Sequence, residues 1–117
     1  MWSKLQEVFD YLALPYYRQG SLAEDDDIPE SFYTFWNTDT KDLSHYDDEP
    51  HRIEWTWRVW AYTDDASEIY SHADNLIAAA QASGFIVIGR GRDIDAASPT
   101  TYGREITLKF IEELKGA

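Results

Sequence analysis

The sequence predicts an α+β domain: a mainly antiparallel four-stranded sheet with two helices packed on one face, in the order helix-strand-strand-helix-strand-strand. Three observations carry that expectation. His51 to Thr63, HRIEWTWRVWAYT, alternates at period two, with His51, Ile53, Trp55, Trp57, Val59 and Ala61 on one side and Arg52, Glu54, Thr56, Arg58, Trp60 and Tyr62 on the other. Tyr102 to Glu112 alternates again, setting Ile106, Leu108 and Phe110 against Glu105, Thr107 and Lys109. Two other segments, 3–13 and 65–83, repeat their apolar residues at helical spacing.

In the first segment, Ser3 followed by Gln6 is a capping-box pattern, and Leu5, Val8, Phe9 and Leu12, with Trp2, mark one stripe. Pro15 stops this helix, because the residue before a proline is pushed out of the helical region. Tyr16 to Gln19 reads as a short extended piece. Gly20 then opens an acidic loop with Glu24, Asp25, Asp26, Asp27 and Glu30, which lacks the alternating ligands and turn glycine of a calcium loop. Pro29 leads into the strand Ser31 to Asn37, SFYTFWN, which carries aromatic residues on both faces. Such a strand is covered on two sides, or its second side meets another subunit.

Thr38 to Pro50, TDTKDLSHYDDEP, is polar and turn-rich, and is expected to be a long loop joining two antiparallel strands. After the central strand, Asp64 and Asp65 are N-cap candidates, and Asp65 with Glu68 repeats the capping logic. Ile69, Ala73, Leu76, Ile77 and Ala80 form the buried stripe of the second helix, with Gly84 just past its end. Tyr70, His72 and Asp74 fall outside that stripe and are expected at its solvated surface. Phe85 to Ile88, FIVI, is a continuous apolar run and reads as a strand buried on both faces. Gly89-Arg90-Gly91-Arg92-Asp93 follows without the third glycine and helix of a dinucleotide site, so it reads as a strand that bends.

At 117 residues the chain is expected to be one domain over 1–117. With no cysteine there is no disulfide, no thiolate nucleophile and no Cys-based zinc site. No apolar run has the length of a membrane span, and the start lacks the layout of a signal peptide, so neither membrane insertion nor export by that route is expected. A net charge of −12 argues against ordinary binding to a nucleic-acid backbone, which depends on Lys and Arg.

Nothing in the spacing assigns a catalytic set, a cofactor or a metal. His45, Asp47, Asp48 and His51 are the nearest approach to metal ligands or an acid–base group, but they lack a metalloenzyme spacing. The residues that stand out are those of interfaces. Trp60 and Tyr62 share a strand face with Arg52 and Arg58, where a monomer ordinarily shows polar residues, so this face either lies under a helix or loop or is a protein–protein contact, since Trp, Tyr and Arg are what interfaces favour. Tyr33 and Phe35 on the neighbouring strand, and the Arg90 and Arg92 pair in an acidic chain, complete the candidate interface.

Together, SFYTFWN at 31–37, HYDDE at 45–49, EWTWRVWAYTDD at 54–65, SGFIVIGRGRD at 83–93 and TTYGREITLKFIE at 100–112 resemble a family of small proteins from the head–tail region of long-tailed bacteriophages and prophages. The resemblance is to tail-completion or tail-terminator proteins, including those related to head–tail joining proteins, and it covers most of the chain from Ser31 onward. It implies a structural, non-enzymatic role: a homo-oligomeric ring, often hexameric, that contacts tail-tube and head-connector proteins. The implied location is the host cytoplasm during assembly and then the virion tail. Two other classes remain in view. An acidic DNA mimic fits the charge, but needs carboxylates spaced like phosphates, whereas ten of the twenty-two acidic residues fall between Glu24 and Glu49. A small carboxylate-dependent enzyme needs a pair of acids held together in a pocket, such as one involving His45 or Asp48.

Overall fold

The computed structural model describes residues 2–18, 31–46, 49–94 and 101–113, giving backbone alone at 2, 43–46 and 49–51. The elements are α1 (Trp2–Leu12), β1 (Tyr16–Arg18), β2 (Ser31–Tyr46), β3 (Glu49–Thr63), α2 (Ile69–Ala82), β4 (Ile86–Ile94) and β5 (Tyr102–Glu113), with a single 3-10 turn at Ala66–Glu68 before α2. The α+β class is as expected, but the sheet has five strands, in the order β1-β2-β3-β5-β4. The additional strand is the short piece after Pro15. It pairs parallel to β2, with Tyr16 beside Tyr33, while all other pairings are antiparallel.

The expected loop over 38–50 is a second correction. β2 and β3 run on as one long hairpin that pairs out to Tyr46 and Glu49, with register shifts near Asn37/Asp39 and Asp42/Ser44/His45. The shift after Asn37 is held by its side-chain amide, which donates to the Thr56 carbonyl at 2.8 Å and the Asp39 carbonyl at 2.9 Å. Alternation of apolar and polar residues marks a strand only where one face is buried. Between Thr38 and Asp42 β2 is exposed, so the polar composition that suggested a loop is also the composition of a solvated strand.

The core lies between the sheet and the two helices. Leu5, Val8 and Phe9 of α1, and Ala73, Leu76 and Ala80 of α2, meet Tyr33, Phe35, Trp57, Val59, Ala61, Ile106 and Leu108 of the sheet. The odd-numbered residues of β3 therefore form its buried face, as the alternation predicts. Phe9 is the pivot, with ring centroids 4.8 Å from Tyr16, 5.4 Å from Tyr33 and 5.6 Å from Phe35. α1 ends where Ala13 turns to φ 57°, and Gly84 follows α2 at φ 93°. Among the described residues, no helix is long and apolar enough to cross a membrane.

Two further expectations change. β4 is the edge of the sheet and is not buried on both faces: Val87 packs on the core, while Ile86 and Ile88 are 50% and 47% exposed. A continuous apolar run states that both faces are apolar, not that both are covered. His72 is buried, not solvated. It sits where α2 crosses β2, stacked on Tyr33 with centroids 4.6 Å apart, its Nδ1 at 3.4 Å from the Tyr33 hydroxyl and its Nε2 at 3.4 Å from the Phe32 carbonyl. Burial holds the imidazole below its ordinary pKa, against the opposing pull of backbone contacts and the Glu68 charge. The same burial pushes the Tyr33 phenol up, so the pair is neutral and carries no charge into the core.

Candidate functional site

Because both helices lie on one side, the other side of the sheet carries no helix among the described residues. Pairing register places Phe32, Thr34 and Trp36 of β2 beside Tyr62, Trp60 and Arg58 of β3 on this side. β5 continues it with Glu105, Thr107, Lys109 and Ile111, and β4 with Arg92, Ile88 and Ile86. Two apolar areas result. One is aromatic: Phe32 stacks on Tyr62 at 5.0 Å and 20°, and Trp36 lies 5.7 Å from Trp60. The other is aliphatic, at the β4 edge. Trp36, Ile86, Ile88 and Ile111 are each at least 39% exposed, a concentration of large apolar side chains on one face.

Between the two areas lies Glu105, only 7% exposed. Its carboxylate accepts from the Trp60 indole at 2.8 Å and from Arg92 Nε at 3.2 Å. Burial alone pushes this carboxyl up. The two hydrogen bonds and the charges of Arg92 and Arg58 outweigh that, so its pKa lies below the ordinary glutamate value. Glu105 thus fixes the Trp60 ring and anchors Arg92 to the sheet. Tyr62 is half-buried, and burial raises its phenol above the ordinary value. Farther along, Glu54 accepts from Lys109 at 3.3 Å and lies 3.6 Å from Lys41.

The charge on this side differs from that on the helical side. Among the described residues, Lys41, Arg52, Arg58, Arg92 and Lys109 share it with Asp39, Glu54, Glu105 and Glu113, five cations against four carboxylates. On the helical side, among the described residues, Glu7, Asp10, Glu68 and Asp74 are exposed against Lys4 and Arg18, whose guanidinium lies over the Phe35 ring, and Arg104 lies over the Tyr70 ring of α2. That layer also holds a groove of about 580 Å3 between α1 and α2, lined by Ala78, Ala79, Ala82 and Leu12 with Tyr11 at its rim, and Tyr11 is 81% exposed.

The seven candidate interface residues separate on this geometry. Arg58, Trp60, Tyr62 and Arg92 lie together on the helix-free side, and Arg90 lies on the adjoining edge bulge. Tyr33 and Phe35 do not join them: at 0% and 4% exposure they belong to the core under the helices. SFYTFWN has aromatic residues on both faces, and only the cross-strand register shows that its even-numbered residues, Phe32 and Trp36, face the open side. Ile86 and Ile88 were missed because nothing in a lone strand reveals which strand is the edge, and Glu105 because an alternating strand does not show which of its polar residues is covered.

The bend expected over Gly89 to Asp93 is a bulge, with the register broken between Ile88 and Arg92. Arg104 clamps it from β5, donating to the carbonyls of Arg90 at 3.1 Å and Gly91 at 3.3 Å and to Asp93 at 2.8 Å. Asp93 is thus engaged by Arg104, and Arg92 turns to Glu105. The acidic residues 24–30, Asp47, Asp48 and Asp95 lie outside the described residues, as do the side chains of His45 and His51. Among the described residues, no three His, Asp or Glu side chains gather as a metal site. Compared with known proteins, the chain matches no family model and no curated protein.

Proposed function

We propose that this chain is a structural subunit of the head–tail region of a long-tailed phage or prophage, a tail-completion protein that assembles with copies of itself into a ring. The motif resemblance supplies the family. One structural observation supports the assembly: Trp36, Ile86, Ile88 and Ile111 stand exposed on the side of the sheet that the helices leave free. An apolar surface of this kind, with half-buried Trp60 and Tyr62 and charged Arg58 and Arg92 among it, has the composition of a protein interface. No step of bond-making chemistry is assigned to it. A DNA mimic presents an unbroken array of negative charge, whereas the carboxylates of this side alternate with Lys and Arg.

The reading is tested by electron microscopy of the purified protein, alone and added to uncapped tail tubes. Rings, and density at the tube end, are expected. A protein that stays monomeric at high concentration and leaves the tube ends bare would overturn it.

A further inference from the structure

We infer that the contact between copies is head-to-tail, the helix-free sheet side of one copy docking on the α1–α2 layer of the next. The inference rests on the self-assembly proposed above and names the two surfaces it uses. The occupant of the sheet side is a second copy because the two sides of the molecule complement each other in charge and in shape. Among the described residues the sheet side is slightly cationic, with Arg58 on β3 and Arg92 on the β4 edge, while the helical side is acidic, with Glu7, Asp10, Glu68 and Asp74 exposed against Lys4 and Arg18. The sheet side offers exposed apolar side chains at Trp36, Ile86 and Ile88, and the helical side offers a groove floored by alanines beside Tyr11.

The two symmetric alternatives are poorer. Helix layer on helix layer sets acid against acid, and sheet on sheet leaves the groove between α1 and α2 unfilled. Size permits the contact, since a stable interface takes about 800 Å2 from each partner, and the molecule's two longer dimensions are 53 and 27 Å. A contact between two different surfaces of the same molecule repeats from copy to copy, and closes as a ring when the rotation per copy divides a full turn.

Complementation between two blocked variants tests this. Ile88→Asp with Arg58→Glu blocks the sheet side, and Glu7→Lys with Tyr11→Lys blocks the helical side. Ile88, Glu7 and Tyr11 are exposed, and circular dichroism and thermal melting of each variant check that it folds. A single Ile88→Asp variant, and Asp74→Lys in place of the α1 pair, serve if either double variant is unfolded. Each blocked variant is expected to sediment as a 13.6 kDa monomer. An equimolar mixture is expected to give a species of twice that mass and nothing larger, because one live sheet side meets one live helical side.

Blocked variants that remain monomeric when mixed would overturn the head-to-tail contact. So would variants that still assemble alone as the wild type does. In both cases a wild type that assembles leaves the proposed function standing. A wild type that never self-associates, with or without tail tubes, would overturn that function and this inference with it.

Discussion

Glu105 is the group whose replacement probes the open side of the sheet most sharply. It is nearly buried and receives two donors, the Trp60 indole at 2.8 Å and Arg92 at 3.2 Å. Glu105→Gln keeps the shape but removes the charge and turns one acceptor oxygen into a second donor, so one of the two bonds is lost and a donor faces a donor. Hydrogen bonds to charged groups contribute about 1.5–3 kcal/mol. Arg92 is 70% exposed, so its share falls toward the fraction of a kcal/mol typical of surface pairs. The expected cost at neutral pH is about 1–2 kcal/mol, or roughly 4–10 °C in melting temperature for a chain of this size.

The effect has a definite pH dependence. The folded pKa of Glu105 lies below its unfolded value, so its contribution is present above the ordinary glutamate value of 4.5 and is lost as pH falls through the folded pKa. Thermal melts of wild type and Glu105→Gln, followed by tryptophan fluorescence, are therefore expected to differ at neutral pH and to converge in acid. Equal melting temperatures at neutral pH, or a gap that persists unchanged in acid, would refute the role given to this carboxylate.

Other perturbations test the fold around the site. His72 is held neutral by burial, its folded pKa below the ordinary 6.5, so its share of stability is full above that value and declines as pH falls beneath it. His72→Phe, which keeps the stack on Tyr33, is expected to flatten that decline in urea titrations run across the range. Gly91→Ala is expected to cost about 2–4 kcal/mol, because φ is +87° and a Cβ there meets Ile106 Cδ1 and lies 2.6 Å from the Glu105 carbonyl. Gly89→Ala, at φ +71° with open space around it, is expected to cost only about 1 kcal/mol; chemical denaturation distinguishes the two. Phe9→Ala, which empties the ring cluster under α1, is expected to cost about 3–5 kcal/mol in the same assay.

What the sequence revealed depended on whether a segment had one buried face. α1, the central part of β3, α2 and β5 each bury one stripe, and their periodicity located them to within a few residues. The outer halves of β2 and β3 and the short β1 lacked that signal. β2 is solvated past Asn37, and three residues of β1 are too few to show a period. Burial of His72 was illegible for a related reason, since a single polar residue beside an apolar stripe is equally compatible with solvent and with a partner such as Tyr33. At the candidate site, Trp60 and Tyr62 were visible as residues out of place on a wet face, Arg58 as their neighbour on that face, and Arg92 as part of a positive spot in an acidic chain. Tyr33 and Phe35 were assigned to the wrong side because SFYTFWN is aromatic on both, and the side that meets the helices is settled by tertiary packing. Glu105, which organises the site, looked like any solvated glutamate of an alternating strand.

The central claim is that the helix-free side of the sheet holds copies of this chain together, and sedimentation velocity of wild type and Ile88→Asp over a wide concentration range tests it most directly. The expected result is a wild type that grows beyond the 13.6 kDa monomer as concentration rises, and a folded Ile88→Asp that does not. Indistinguishable sedimentation of the two proteins at every concentration would contradict it.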